Sequence, residues 1–186
     1  MVEIMLNIIA LKLNNKALSF ARILNGVIIL FLTSQITIPL EPVPITLQTA
    51  GVMLIGLTFN RREAIYSVIS YLVLGASGLP LFADFSGGML KLIGPTGGYL
   101  IGFLASVAVM TTIRQFFTKE SIFTMFLSSL IGTMVIFAFG IAWLSKFVGF
   151  EKAITVGFMP FIATGMLKVV FTAMAVRYIK FGRIIK

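Results

Sequence analysis

The chain reads as an all-α polytopic membrane protein, a six-transmembrane-helix bundle with a long outer lid loop between helices 3 and 4. Three observations predict this class. Of 186 residues, 59% are hydrophobic and only 11% charged, and the mean hydropathy is +1.07. A soluble domain carries about 25% charged residues, so the missing polar surface has to be surface that faces lipid. The apolar residues fall into runs separated by short segments that hold most of the charges, and the basic residues divide unequally between the two sides that those runs define.

The runs are Leu18–Ile38, Ile45–Phe59, Ala64–Phe82, Gly97–Ile113, Ser121–Ser145 and Ala153–Tyr178. A helix needs roughly 20 residues to cross about 30 Å of hydrocarbon, so the second and fourth runs are short and are expected to lie shallow, tilted or partly covered. Met1–Lys16 carries only a brief apolar patch, broken by Asn7, Lys12, Asn14 and Asn15, and reads as a cytoplasmic lead-in rather than a cleaved signal. Residues 179–186 read as a basic cytoplasmic tail. No fixed-period repeat and no long linker divides the chain, so residues 1–186 are expected to form one membrane domain.

Orientation follows from the Lys and Arg residues, which are retained on the cytoplasmic side. With six spans, one face collects Lys12, Lys16, Arg22, Arg61, Arg62, Arg114, Lys119, Arg177, Lys180, Arg183 and Lys186. The other collects Lys91, Lys146 and Lys152. The expectation is a multi-pass protein of the cell (inner or plasma) membrane with both termini cytoplasmic. This placement also accounts for the formal charge of +9, which in a soluble protein would suggest nucleic acid. No nucleic-acid partner is expected; the lipid bilayer is.

The chain has no cysteine and no histidine. That removes thiolate nucleophiles, the commonest general base and the commonest metal ligand, so no metal, no cofactor and no catalytic set is expected. A Ser-Lys pair is the arrangement still open to an enzyme. A channel would need a polar stripe through several helices, whereas the polar residues here gather towards the outer half. No GxxxxGK[ST] string is present, so the chain does not hydrolyse ATP by that machinery.

Lys168 is the most informative residue. A charged side chain near the centre of a span costs roughly 2.5–3.5 kcal/mol on insertion scales and needs a partner or a watery cavity. Either it pairs with Asp84 or Glu41, or it snorkels to an interface, or it holds an anionic ligand group. The connection from Leu79 to Gly98 is the longest between runs, and with Phe82, Phe85, Met89, Leu90, Leu92 and Ile93 it is too apolar for a solvated linker. It fits either a lid over the mouth of the bundle or a re-entrant packing element. Gly94-Pro95-Thr96-Gly97-Gly98-Tyr99 opens the fourth run, where backbone N–H groups can face a solute or glycines can let helices pack closely. In Pro39-Leu40-Glu41-Pro42-Val43-Pro44-Ile45-Thr46-Leu47-Gln48 the prolines set a tight outer turn, and Gln48 lies about one turn into the second span. Its amide offers a donor and an acceptor, to a ureido or amide headgroup or to another helix.

These motifs carry a resemblance. PLEPVPITLQT, GLPLFADFSGG and GPTGGYLIGF occur in an order that resembles the BioY family over roughly Ala17 to Lys180. BioY proteins are the biotin-specific substrate-binding components of energy-coupling-factor (ECF) transporters. The resemblance implies biotin uptake through an outward-facing pocket, energised by an ECF coupling transmembrane subunit and two ATP-binding cassette ATPases. It implies that Gln48, Phe82, Asp84, Ser86, Tyr99 and Lys168 bind biotin beneath a lid at Leu81–Ile93, and that the small pair Ala17 and Ala21 docks the coupling subunit. The family commonly has an aspartate three residues before the lysine, where this chain has Gly165; Asp84 is a candidate replacement. The alternative reading is a stand-alone secondary transporter of biotin or a related small carboxylated vitamin.

Overall fold

The computed structural model describes the backbone of residues 2–117 and 121–184 and the side chains of residues 15–117 and 121–179. The basic residues Lys12, Lys119, Lys180, Arg183 and Lys186 therefore have side chains outside the described residues. The protein is a helical membrane protein. Among the described residues, four helical stretches are long and apolar enough to cross a membrane: Asn15–Ser34, Gly97–Phe116, Ile122–Val148 and Phe161–Ile179.

The first stretch is the latter part of α1 (Val2–Ser34), whose backbone is helical without a break from Val2. Nothing in the backbone separates the expected lead-in from the first span. After Ser34 the chain forms a small antiparallel hairpin, β1 (Thr37–Ile38) with β2 (Ile45–Thr46), in the register Thr37 to Thr46 and Ile38 to Ile45. Three prolines between the strands keep this segment out of helix, because each lacks an N–H and disfavours helix in the residue before it. Helix resumes only at α2 (Gln48–Thr58), where the Thr46 hydroxyl accepts a hydrogen bond from the Gln48 N–H at 3.3 Å.

At 11 residues, α2 is about 16 Å long, half the thickness of the hydrocarbon. It packs against α1 and four later helices, which is why Val52, Met53, Ile55 and Leu57 are fully buried. Next, α3 (Arg61–Ala76) begins at Asn60, whose side chain caps the Glu63 N–H at 2.9 Å. The third apolar run was expected to continue to Phe82, but this helix stops at Ala76, before Gly78 with φ of +107° and Pro80.

A connection with a 3₁₀ turn (Ala83–Phe85) and the short helix α4 (Met89–Ile93) leads to α5 (Gly97–Phe116). Helix α6 (Ile122–Val148) starts at a capping box formed by Ser121 and Thr124. α5 and α6 form the most intimate pair in the bundle. A Cβ on Gly98 would meet Phe139 and Trp143, one on Gly102 would meet Ile136 and Phe139, and one on Gly132 would meet Ser106 and Met110, so the two helices run antiparallel with glycines at the seam.

The last apolar run is not one helix. It divides into α7 (Phe150–Gly157) and α8 (Phe161–Ile184), separated by a turn at Phe158–Pro160. Pro160 explains the break, since it removes one helical N–H and pushes Met159 away from helical geometry. The crossing stretch therefore begins at Phe161 rather than Ala153.

Candidate functional site

The hairpin, the start of α2, the loop after α3, the first halves of α5 and α8 and the middle of α6 line a cavity of about 670 Å³. Its size falls within the roughly 300–1,000 Å³ of small-molecule sites. Gln48, Phe82, Asp84, Ser86, Tyr99 and Lys168, which come from four separate parts of the sequence, all line it.

Each wall has a local cause. Phe161, Gly165 and Lys168 stand at i, i+4 and i+7 and so share the face of α8 that lines the cavity. Lys168 pairs with neither Asp84 nor Glu41. Its ammonium donates to the Thr46 carbonyl at 2.7 Å, joining α8 to the hairpin. A carboxylate partner is unnecessary because β2 ends at Thr46 and offers that oxygen. Gly165 leaves the adjoining wall open: a Cβ there would meet only the Phe137 ring, at 3.8 Å.

Gln48 is buried and its amide is occupied. Its Oε1 accepts from the Thr46 hydroxyl at 3.1 Å, and its Nε2 donates to the Tyr71 hydroxyl at 2.6 Å. Of the two roles foreseen for this residue the interhelical bond is the one made, linking α2 to α3, and the side chain also lines the cavity.

Tyr99 is held in the same way. Its hydroxyl donates to the Gly157 carbonyl at 2.8 Å, while its ring stacks on Phe161 and meets Phe137 edge-on. The ring sits against Gly140, where any side chain would collide with it. Tyr99 thus presents an aromatic wall, and its polar end is used within the bundle. The helix start beside it is less open than its glycines suggest. The N–H groups of Gly97 and Tyr99 are already bonded to the carbonyls of Gly94 and Thr96.

The loop is fastened along its first half. Ser34 and Tyr71 both donate to the Leu81 carbonyl at 2.8 Å. Gln35 donates to the Phe82 carbonyl at 3.2 Å and accepts from the Phe85 N–H at 2.9 Å. Phe82 is buried edge-on against Tyr71 and fills the space that Gly75 leaves. Ser86 closes the turn by donating to the Ala83 carbonyl at 2.6 Å. Asp84 and Phe85 both adopt positive φ, a conformation uncommon outside glycine that these external bonds stabilise. Replacing Gln35 with Ala is expected to raise amide exchange across residues 82–86 about tenfold, since two bonds of about 1 kcal/mol each are lost against some relaxation. An unchanged rate, measured by mass spectrometry, would show that Ser34 and Tyr71 hold the loop without it.

The second half differs. Met89, Leu90 and Ile93 of α4 are 54–79% exposed, and the helix is followed by Gly94, whose carbonyl accepts from Trp143 Nε1 at 2.9 Å. Thr46, Thr133, Phe137 and Phe161 also line the cavity and were not foreseen. The spacing of Phe161 to Lys168 was the available signal for the last of them. Ala17 and Ala21 lie away from the cavity, exposed on α1.

Fold and site together define a class: a polytopic helical membrane protein with a small-molecule cavity lined by aromatic walls, by Lys91 at the loop and by the part-buried Lys168. The chain belongs to the BioY family, whose family model matches residues 9–183. It is 41% identical over 140 residues to the biotin transporter BioY of Thermotoga maritima, covering 75% of this chain and 82% of that one. It is 34% identical over 170 residues to the probable biotin transporter BioY of Rickettsia prowazekii, covering 91% and 87%. Its fold is similar to the crystal structure of the S-component for biotin from an ECF-type ABC transporter, with a TM-score of 0.81 over 90% of this chain and 93% of that one at 24% identity.

Proposed function

We propose that this protein takes up biotin, capturing it in the 670 Å³ cavity as the membrane-embedded binding component of an ECF-type transporter. The carrying observation is the union of Gln48, Phe82, Asp84, Ser86, Tyr99 and Lys168, from four separate parts of the sequence, around one cavity in a BioY family chain. Biotin has a ureido ring that needs donors and acceptors, an apolar bicycle and chain, and a carboxylate. The cavity offers polar groups at Gln48 and Ser86, aromatic faces at Phe82 and Tyr99, and a cation at Lys168. None of this requires covalent chemistry, so the protein acts as a transporter component and not as an enzyme.

On this reading the whole chain is one membrane domain with six crossings. The second crossing is composite, with the hairpin and α2 sharing the depth, and α3 supplies the third. The excess of Lys and Arg on one side supports cytoplasmic termini and residence in the cell membrane. The loop Leu81–Ile93 acts as a lid whose first half is an anchored hinge and whose second half, α4, moves. The exposed small residues Ala17 and Ala21 offer α1 to the coupling transmembrane subunit, through which two ATP-binding cassette ATPases supply energy.

Calorimetric titration of biotin into the detergent-purified protein tests the substrate, with thiamine as a comparison. Saturable biotin heat without thiamine heat is the expected result. A folded protein that takes up no biotin would remove the reading.

A further inference from the structure

We infer that Tyr71 is a positioning residue that determines which end of the Gln48 amide is turned towards the cavity-lining Thr46, because its own proton is committed to the loop at Leu81. The inference rests on the biotin reading and deepens it by naming what sets the polarity of the site.

Tyr71 is fully buried on α3 and lines no part of the cavity. Its hydroxyl lies 2.8 Å from the Leu81 carbonyl oxygen and 2.6 Å from Gln48 Nε2. A carbonyl has no proton to give, so the single phenol proton goes to Leu81, and the hydroxyl is left to accept. The Gln48 group facing it must then be the amide NH₂. Its Oε1 is turned to the other side, where it accepts from Thr46 at 3.1 Å. A glutamine amide by itself has no such preference, since its oxygen and nitrogen are alike in size and shape.

The neighbouring groups support the same direction. Ser34 accepts from Gln35 Nε2 at 2.6 Å and so is left to donate, and it too reaches the Leu81 carbonyl, at 2.8 Å. The Ser34 proton is shared with the Phe31 carbonyl, the nearer of its two acceptors at 2.6 Å, so the Tyr71 proton is the one that fully meets Leu81. The order of donors and acceptors thus passes from the loop backbone, through a residue that never touches the cavity, to a residue that lines it. A fixed amide oxygen beside Thr46 favours ligands that bring N–H groups, such as a ureido ring, over ligands that bring only lone pairs there.

The test is a double-mutant cycle read by biotin titration, using Tyr71→Phe, Gln48→Ala and the double variant. Phenylalanine keeps the ring that lies 5.5 Å from Phe82 and removes only the hydroxyl. Tyr71→Phe is expected to weaken biotin binding about fivefold to tenfold when Gln48 is present, and less than about twofold when residue 48 is alanine. It is also expected to narrow the preference for biotin over an analogue methylated at the ureido nitrogens, a ratio that a general loosening of the fold would leave unchanged. Equal losses in the two backgrounds, or no loss, would overturn the role of Tyr71 while leaving biotin as the substrate. Absence of biotin binding by the folded parent protein would overturn the functional reading and this inference together.

Discussion

Replacing Lys168 with Met is expected to weaken biotin binding about a hundredfold, because truncating one partner of a desolvated charged contact costs about 2–5 kcal/mol and 1.4 kcal/mol is tenfold in affinity. Met keeps most of the length and apolar stem of Lys and removes the charge. The loss therefore reports the cation and not the packing. The ammonium donates to one backbone oxygen, that of Thr46. Its removal frees one carbonyl beside an open cavity, so the fold is expected to survive with its thermal midpoint in detergent lowered by only a few degrees. Lys152→Ala, at an exposed position on α7, is expected to leave biotin affinity unchanged. A loss of threefold or less for Lys168→Met, measured by the same titration, would remove Lys168 from the site.

The largest effect on stability is expected at Gly98. A Cβ there would lie 2.6 Å from the carbonyl oxygen of Phe139 and closer still to the Trp143 side chain. The first of these is backbone and cannot rotate away. Gly98→Val therefore requires α5 and α6 to part, which is expected to cost about 3 kcal/mol and to lower the thermal midpoint by roughly 10 °C. Gly165→Ala is the matched control. Its Cβ would make an ordinary contact with Phe137, and Ala is the better helix former by about 0.5–1 kcal/mol, so no loss of stability is expected. Equal midpoints for the two variants would show that the α5–α6 seam is looser than its geometry indicates.

The class of the protein was legible because hydropathy is a property of composition, which needs no knowledge of contacts. The positions of Lys168 and Gln48 were legible for a related reason: a polar group inside an apolar run must be answered somewhere. What answers each of them was not. The partner of Lys168 is a main-chain oxygen of Thr46, 122 residues away, and backbone carbonyls leave no mark in a sequence. Tyr71 escaped notice because tyrosine inside an apolar run passes for one more aromatic. Only the approach of Leu81 and Gln48 reveals its hydroxyl as a junction. The break at Pro160 was within reach. A proline at that point in an unbroken apolar run is a local signal that hydropathy averages away. The shortness of α2 was partly visible in the clustered prolines before it, but the hairpin that replaces its missing turns depends on pairing between Thr37 and Thr46, across a loop whose register no local pattern announces.

That shortness has a volumetric consequence. A helix that stops about 14 Å before the far edge of the hydrocarbon leaves a vacant cylinder about 10 Å across, which encloses on the order of 1,100 Å³. The hairpin before α2 and the first residues of α2 both line the 670 Å³ cavity, so the cavity lies at the end where the short helix begins. Seen this way, the bundle did not have to splay to admit a solute. It shortened one helix and kept α5, α6 and α8 around the gap.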